Sequence, residues 1–187
     1  MSNHSEQAID RENLPVELVD AQGRAVGACP VAQAHTAPGL AHRAFSVLLF
    51  DGAERVLLQR RAAVKTRFPN LWTNTCCGHP APGQPVVEAA AVRLYEEFGL
   101  SAALTEIGVF SYRAGDPATG RVEHEWDHVL IGTLFDAAPQ PDPDEISDYA
   151  WIGIDTLRVG LASDPAAYTP WLSGVLDVVE DVLSKTP

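Results

Sequence analysis

The chain has 187 residues, 46% of them hydrophobic and 20% charged, which is enough for one full core and too short for two comfortable domains. Its formal net charge of −12 argues against non-specific binding to nucleic acid or to an anionic membrane. Three cysteines are too few for a disulfide framework, and the polar first residues lack the apolar stretch of a signal peptide. We therefore expect a cytoplasmic protein without a membrane-spanning segment.

The predicted elements alternate between strands and helices along the chain. The polar residues 1–13 predict a disordered tail, followed by a single domain over residues 14–187. Strands are expected at residues 16–20 and 24–28 as a hairpin, and at 43–50, 55–60, 107–112, 122–135 and 149–154. Pro85 and Gly99 bound the clearest helix, over residues 85–100; helical structure is also expected from Asp155 and at about 168–184. This order predicts an α+β fold, an α/β/α layered sandwich with helices flanking a mixed sheet.

The segment WTNTCCGHP, residues 72–80, places two adjacent cysteines directly before a glycine and a histidine. Cys76 and Cys77 are candidates for metal ligands, redox partners, a nucleophile or an acid–base group. Side chains of adjacent residues on an extended chain point to opposite sides. A disulfide between the two is therefore disfavoured, and we expect them to face different surroundings.

Three histidines are candidate ligands. His35 and His42 are seven residues apart in AHTAPGLAH, and on a continuous helix they would lie roughly 10 Å apart, too far to share one ion. Pro38 and Gly39 would break such a helix, so a loop can fold both rings inward. His79 follows Cys77 by two residues. Taken singly, each of these histidines is more often a surface or core-edge residue than a ligand.

Two carboxylates add weight to a metal site. Glu123 and Glu125, in VEHEWDH, share one face if the segment is a strand, because side chains two residues apart lie about 6–7 Å apart on the same side. An exposed charged face on an edge strand is the simpler alternative. The apolar residues that follow, VLIGTLF, favour a strand that runs through the sheet.

A second charged region combines acidic and basic residues. Glu97 closes the predicted helix in RLYEEFGL, where its spacing from Arg93 also fits a surface ion pair. The segment RRAAVKTR, residues 60–67, concentrates basic side chains in an acidic protein. It is either a solvated face or an anion site, and guanidinium groups suit phosphate oxygens.

The chain resembles the type I isopentenyl-diphosphate delta-isomerases of the Nudix superfamily over roughly residues 16 to 175. The resemblance rests on AHTAPGLAHRAFS, LLQRRAAVKTRFPNLWTNTCCGHP, YEEFGL, YRAGDP, VEHEWDH and TPW, which occur in this order. A Nudix hydrolase box would have an acidic residue where this chain has Gln84, and Arg-Glu where it has Val92 and Arg93. That departure weighs against the alternative function, diphosphate hydrolysis.

The resemblance implies a role for each candidate residue. Cys77 is expected to be the catalytic thiol, Glu125 its acid–base counterpart, and Tyr112 a tyrosine beside that carboxylate. The implied metal ligands are His35, His42, His79, Glu123 and Glu125 for one Mn²⁺ or Zn²⁺ ion, and Glu97 for the Mg²⁺ that accompanies the substrate diphosphate. Arg61, Lys65 and Arg93 are expected to hold the diphosphate, and Trp171 to cover the reacting carbon atoms. No flavin is expected, and the implied state is a monomer or a weak homodimer that acts on isopentenyl diphosphate.

One position departs from the family pattern. A lysine is usual four residues before the first metal histidine, where this chain has Val31. The corresponding diphosphate contact is either missing or supplied by an arginine such as Arg24 or Arg43. A rival hypothesis is a non-catalytic zinc module built on Cys29, Cys76, Cys77 and His79, although structural zinc sites prefer cysteines two to four residues apart.

Overall fold

The computed structural model describes residues 10–135 and 137–185. Residues 1–9 of the predicted tail lie outside these ranges. Arg11–Asn13 form a short 3-10 helix, whose N-terminus is capped by the Asp10 carboxylate accepting from the Glu12 amide. This short helix lies within the predicted tail; the disordered tail and the single domain over residues 14–187 stay predictions.

One mixed sheet organises the described residues. Its strands are β1 (Pro15–Val19), β2 (Ala25–Pro30), β3 (His42–Phe50), β4 (Arg55–Arg61), β5 (Trp72–Thr73), β6 (Cys76–Gly78), β7 (Thr105–Gly115), β8 (Val122–Thr133) and β9 (Ile146–Gly153). The strand order is β2-β1-β3-β4-β5, with β6 and β8 also paired to β3, β7 to β8, and β9 to β4. The β3–β8 pair is parallel, whereas the other strand pairs are antiparallel. The predicted mixed sheet is confirmed.

The helices are α1 (Val31–Ala34), α2 (Val86–Phe98), α3 (Ile154–Ser163) and α4 (Leu172–Leu183), with a second 3-10 turn at Pro165–Ala167. Gly99 ends α2 in the left-handed region, at φ 64°, a conformation that glycine adopts without strain. The final helix begins at Leu172, four residues later than predicted. The Thr169 amide donates to the Trp72 carbonyl at 2.9 Å instead, so Trp171 becomes the N-cap of α4.

Apolar clusters lie on both faces of the sheet. On one face, Phe45 and Leu49 of β3 pack with Leu94 and Phe98 of α2. On the other, Leu48 packs with side chains of α3 and α4. The layered α+β fold predicted from the sequence is confirmed. Within the described ranges, no helix is long and apolar enough to cross a membrane.

The adjacent cysteines follow this division. Cys76 is fully buried in the cluster against α2, whereas Cys77 packs against the cluster on the opposite face. Both are free thiols. The expectation that they face different surroundings is confirmed.

Candidate active site

Five side chains meet at the edge of the sheet where the parallel strands β3 and β8 begin. His42 is the first residue of β3 and pairs with Glu125 of β8. Glu123 lies two residues earlier, on the same face of β8. His35 follows α1 directly, and His79 follows β6. The ligand atoms of these five residues all lie within 4.8 Å of one another.

Hydrogen bonds to backbone carbonyls orient two of the imidazoles. Nδ1 of His35 lies 2.7 Å from the Val31 carbonyl, and Nδ1 of His42 lies 2.7 Å from the Leu40 carbonyl. Since a carbonyl oxygen only accepts, each Nδ1 carries the proton and each Nε2 presents a lone pair to the cluster. This is the arrangement in which histidine binds a metal ion.

Several acceptor atoms in the cluster have no hydrogen-bond partner. They are Nε2 of His35, Nε2 of His42 and Oε2 of Glu123, all buried. Nε2 of His35 lies 2.7 Å from Oε2 of Glu123, but with the imidazole proton on Nδ1 neither of these two atoms donates. Burial lowers the pKa of His79 to about 3, which keeps that imidazole neutral. Converging lone pairs and two carboxylates fit a divalent cation of the Mn²⁺, Fe²⁺ or Zn²⁺ type.

The two oxygens of Glu125 have different partners. Oε1 lies 3.0 Å from Nε2 of His79 and 3.6 Å from Nε2 of His42. Oε2 accepts a hydrogen bond from the Tyr112 hydroxyl at 2.6 Å. Burial alone would raise the pKa of Glu125, but the imidazoles of His42 and His79 beside its Oε1 hold that pKa well below its usual range. The carboxylate is thus ionised, with one oxygen facing the histidines and one facing Tyr112.

A cavity of about 550 Å³ adjoins this cluster, and its lining includes Cys77, Tyr112, Glu125 and Trp171. Burial raises the pKa of the Cys77 thiol to about 12, so the thiol carries its proton near neutral pH. Sγ lies 3.2 Å from Oδ1 of Asn74 and 3.7 Å from the Ser46 hydroxyl. A protonated thiol and an ionised carboxylate therefore share one cavity.

Aromatic rings form one wall of the cavity. The Trp171 indole is 3% exposed, and it contacts Phe68 edge-on at 5.2 Å and Tyr112 at 5.9 Å between ring centroids. The Arg61 guanidinium lies 5.8 Å above the indole. Such a wall offers an aromatic face to a positive charge.

Lys65 and Arg93 also line the cavity and form its basic end, where carboxylates already contact them. Arg93 binds Glu97 at 2.8 Å and Glu145 at 2.6 Å through Nη2, and Lys65 also pairs with Glu145. Glu97 is buried, and its second oxygen accepts from Gln59 at 2.7 Å. Glu97 therefore lies beside the basic end and apart from the group of five ligands.

Comparisons with known proteins identify the family of this chain. Residues 40–172 match the family model of the NUDIX domain. The isopentenyl-diphosphate delta-isomerase of Nocardia farcinica (strain IFM 10152) is 68% identical over 167 residues, which cover 89% of this chain and 95% of that protein. The chain belongs to the isopentenyl-diphosphate delta-isomerases of the Nudix family.

Other relatives carry the same isomerase name. The Streptomyces griseus protein is 43% identical over 98% of this chain and 92% of its own length, and the Halorhodospira halophila protein is 44% identical over 83% and 89%. Among solved structures, a Deinococcus radiodurans protein aligns with a TM-score of 0.69 at 19% identity, covering 88% of this chain and 98% of that one. A MutT NUDIX hydrolase from Burkholderia pseudomallei aligns with a TM-score of 0.58 at 22% identity, covering 74% and 98%. These structures support the fold.

The departure of this isomerase at Val31 has a structural consequence. Val31 is 4% exposed and lines the cavity with an apolar side chain. Neither Arg24 nor Arg43 is among the described residues that line the cavity; they pair with Asp20 and Glu17. Arg11 and Arg67 are among the lining residues instead.

Three residues in or beside the cavity, Asp127, Asn74 and Glu145, were not predicted from the sequence. Asp127 was detectable, because it continues the alternation of Glu123 and Glu125 on β8 and is fully buried. Glu145 offered no such signal, since its partners Lys65 and Arg93 are distant in the chain, and the contact of Asn74 with Trp171 likewise forms only on folding. Cys29 packs in a third apolar cluster, and no cysteine of the described ranges joins the ligand group. The rival zinc module is therefore wrong.

Proposed function

We propose that the protein converts isopentenyl diphosphate to dimethylallyl diphosphate by adding one proton and removing another, through a tertiary carbocation. The observation that carries this proposal is the single cavity that holds a protonated Cys77 thiol, an ionised Glu125 carboxylate and the Trp171 indole. Relatives that cover most of this chain bear the isomerase name.

Moving the double bond requires an acid and a base. In one direction, the Cys77 thiol transfers its proton to the terminal alkene carbon, and Glu125 removes a proton from the carbon next to the diphosphate-bearing one. The other assignment, with Glu125 protonating and Cys77 deprotonating, uses the same two groups because the reaction is reversible. In either case Tyr112 holds Glu125 through its hydroxyl.

The carbocation needs stabilisation and protection. The face of Trp171 offers the electron-rich surface that a cation prefers. Phe68 and Tyr112 pack around the indole and help to exclude the water that would quench the cation. This aromatic wall is the reason for assigning Trp171 to the reacting carbon atoms.

The basic end of the cavity is assigned to the diphosphate. Lys65 and Arg93 lie there, and Arg61 lines the same cavity above the Trp171 ring. Binding of the diphosphate to these three side chains would fix the alkene between thiol and carboxylate. Glu97 contacts Arg93 and is the carboxylate proposed to bind the Mg²⁺ that accompanies the diphosphate. Glu145 now pairs with Lys65 and Arg93, so the diphosphate must compete with it.

The five-residue His/Glu group is assigned to one Mn²⁺ or Zn²⁺ ion. When bound, such an ion would supply positive charge that keeps Glu125 ionised and in place. The residues around it do the orienting: backbone carbonyls hold His35 and His42 by Nδ1. No flavin has a part in the proposal.

The location and partners of the protein stay proposals as well. The net charge of −12 argues against binding to nucleic acid or an anionic membrane, while the basic residues that line the cavity favour a diphosphate. We expect the protein in the cytoplasm, as a monomer or a weak homodimer.

The test is a conversion assay followed by ¹H and ³¹P NMR. The purified protein is incubated with isopentenyl diphosphate, Mg²⁺ and Mn²⁺, without flavin. We expect the signals of dimethylallyl diphosphate to grow while no inorganic phosphate or pyrophosphate appears. Release of phosphate would instead support the alternative, a Nudix diphosphohydrolase.

A further inference from the structure

Asn74 lies at a junction of hydrogen bonds beside the cavity. Its side chain is fully buried in the segment between β5 and β6. Nδ2 donates to the Val47 carbonyl at 3.1 Å and to the Cys76 carbonyl at 2.9 Å. Because carbonyl oxygens only accept, these two bonds settle the orientation of the amide and leave Oδ1 as an acceptor.

Oδ1 of Asn74 accepts from two groups of the cavity. The Cys77 thiol approaches it at 3.2 Å and the Trp171 indole N–H at 3.1 Å. The Thr73 hydroxyl donates to the same oxygen at 2.9 Å, and Thr169 donates to Thr73 at 2.8 Å. A single oxygen thus joins the start of β6, which carries Cys77, to the segment that carries the Trp171 indole.

We propose that Asn74 is a positioning residue whose Oδ1 holds the Cys77 thiol and the Trp171 indole in fixed relative places. The inference rests on the proposed function, which gives these two side chains their roles. Proton transfer to the alkene places positive charge on the neighbouring carbon. The acid must therefore reach one alkene carbon while the aromatic face lies over the other. A displacement of about 1 Å in such a pair can cost about 100-fold in rate.

Two substitutions separate the roles of the two amide atoms. Asn74→Ala removes Oδ1 and Nδ2 together. Asn74→Asp keeps an acceptor oxygen towards Cys77 and Trp171, and loses the paired donation to Val47 and Cys76. A protonated aspartic acid can still donate to one of those carbonyls.

We expect Asn74→Ala to lower kcat about 10- to 100-fold while KM changes by less than about threefold, since the diphosphate contacts lie elsewhere. Asn74→Asp should keep kcat within about fivefold of wild type. The second measurement is the indole N–H signal of Trp171 by ¹H–¹⁵N NMR, assigned with Trp171→Phe. It should move to the position of an unbonded indole in Asn74→Ala and stay near its wild-type position in Asn74→Asp.

Thr75→Val is the matched control. Thr75 is equally buried; its hydroxyl donates to the Leu57 carbonyl at 2.6 Å and accepts from the Leu49 amide at 2.9 Å. None of these hydrogen bonds reaches Cys77 or Trp171. We expect a lower Tm, an unmoved Trp171 signal and a kcat within about threefold of wild type.

These results distinguish two roles for Asn74: positioning Cys77 and Trp171, or only stabilising the segment between β5 and β6. If Asn74→Asp is as slow as Asn74→Ala, or if Thr75→Val is equally slow, Asn74 only supports the loop and the proposal is wrong. Should Asn74→Ala not fold, a displaced Trp171 signal in Asn74→Asp contradicts the proposal and a retained one supports it. The NMR signal needs no substrate, so it tests Asn74 even if the wild-type protein fails to isomerise isopentenyl diphosphate.

Discussion

Tyr112 donates to Oε2 of Glu125, the oxygen that His42 and His79 leave free. A hydrogen bond to a charged group contributes about 1.5–3 kcal/mol. We expect Tyr112→Phe to lower kcat about 10- to 100-fold with little change in KM, because the carboxylate loses its orientation and not its charge. Steady-state kinetics would measure this, with Tyr95→Phe as the control, since Tyr95 is 64% exposed. An unchanged kcat in Tyr112→Phe would contradict the proposed role of Tyr112 in orienting Glu125.

Glu145 gives a prediction about pH. Burial alone would raise its pKa, but the charges of Lys65 and Arg93 outweigh it and lower the pKa to about 2 from an ordinary value of 4.5. Because the folded pKa is the lower one, the stabilisation is complete above about pH 4.5 and is lost as the pH falls towards 2. At neutral pH it is on the order of 3 kcal/mol.

Urea unfolding of the wild type and Glu145→Gln between pH 7 and pH 3 tests this account. We expect the wild type to be the more stable at pH 7, and the difference in the free energy of unfolding to shrink below about pH 4.5. A difference that stays constant over the whole range would show that the ion pairs of Glu145 are not its source.

At the residue scale, the sequence was informative where a local pattern exists. Glu123 and Glu125 were predicted to share a face because strand alternation requires it, and the structure places both in one cluster. Glu145 was not predicted, since its partners Lys65 and Arg93 lie 80 and 52 residues away and only folding joins them. The assigned catalytic and binding roles stay predictions.

At the element scale, the loop between α1 and β3 brings His35 and His42 together. Gly39 lies in this loop at φ +84°, and an added Cβ would come within 2.7 Å of Cγ1 of Val122 at the start of β8. We expect Gly39→Ala to cost about 1–3 kcal/mol of stability and to weaken Mn²⁺ binding, because Val122 is displaced next to Glu123. Calorimetric titration with Mn²⁺ measures the second effect.

Gly120→Ala is the control for backbone strain. Gly120 has φ +71°, but an added Cβ would meet no atom within 4 Å. The Gly120→Ala variant should lose some stability and keep the Mn²⁺ affinity of the wild type. Equal weakening of Mn²⁺ binding in both variants would mean that the contact of Gly39 with Val122 has no part in placing the ligands.

The predicted elements agree with the structure where the chain marks their ends. Pro85 and Gly99 bound α2 closely, because each residue has a strong backbone preference. The predicted start of α4 was wrong, since the apolar pattern could not reveal that the Thr169 amide donates a hydrogen bond to the carbonyl of the distant Trp72. Strands β5 and β6 have two and three residues, too few for any alternation to be read.

At the scale of the whole molecule, the ligand group connects α1, β3, β6 and β8. A cation that binds only the folded state stabilises it by about 2.7 kcal/mol at a free concentration 100 times its Kd. We expect Mn²⁺ to raise the Tm of the wild type, and chelation to reverse the rise. His42→Gln should lose most of this rise, whereas His128→Gln, outside the group and paired with Glu106, should keep it. An equal rise in both variants would contradict the metal site.

The overall fold was predictable because several long motifs occur in family order, and the relatives agree with them over most of the chain. The cavity was less predictable. Its basic end depends on which arginines point inward, and the side chains that line it include Arg11 and Arg67, with neither Arg24 nor Arg43 among the described residues there. The oligomeric state and the identity of the metal ion stay predictions.

The most direct test of the central claim is isotope exchange in D₂O. Wild type, Cys77→Ala and Cys76→Ala are incubated with isopentenyl diphosphate, Mg²⁺ and Mn²⁺, and the alkene and methyl protons are followed by ¹H NMR. We predict deuterium in the new methyl group of dimethylallyl diphosphate with the wild type and with Cys76→Ala, whose mutated side chain faces the core beside α2. Cys77→Ala should show neither product nor exchange. Deuterium incorporation by Cys77→Ala at the wild-type rate would contradict the role of this thiol.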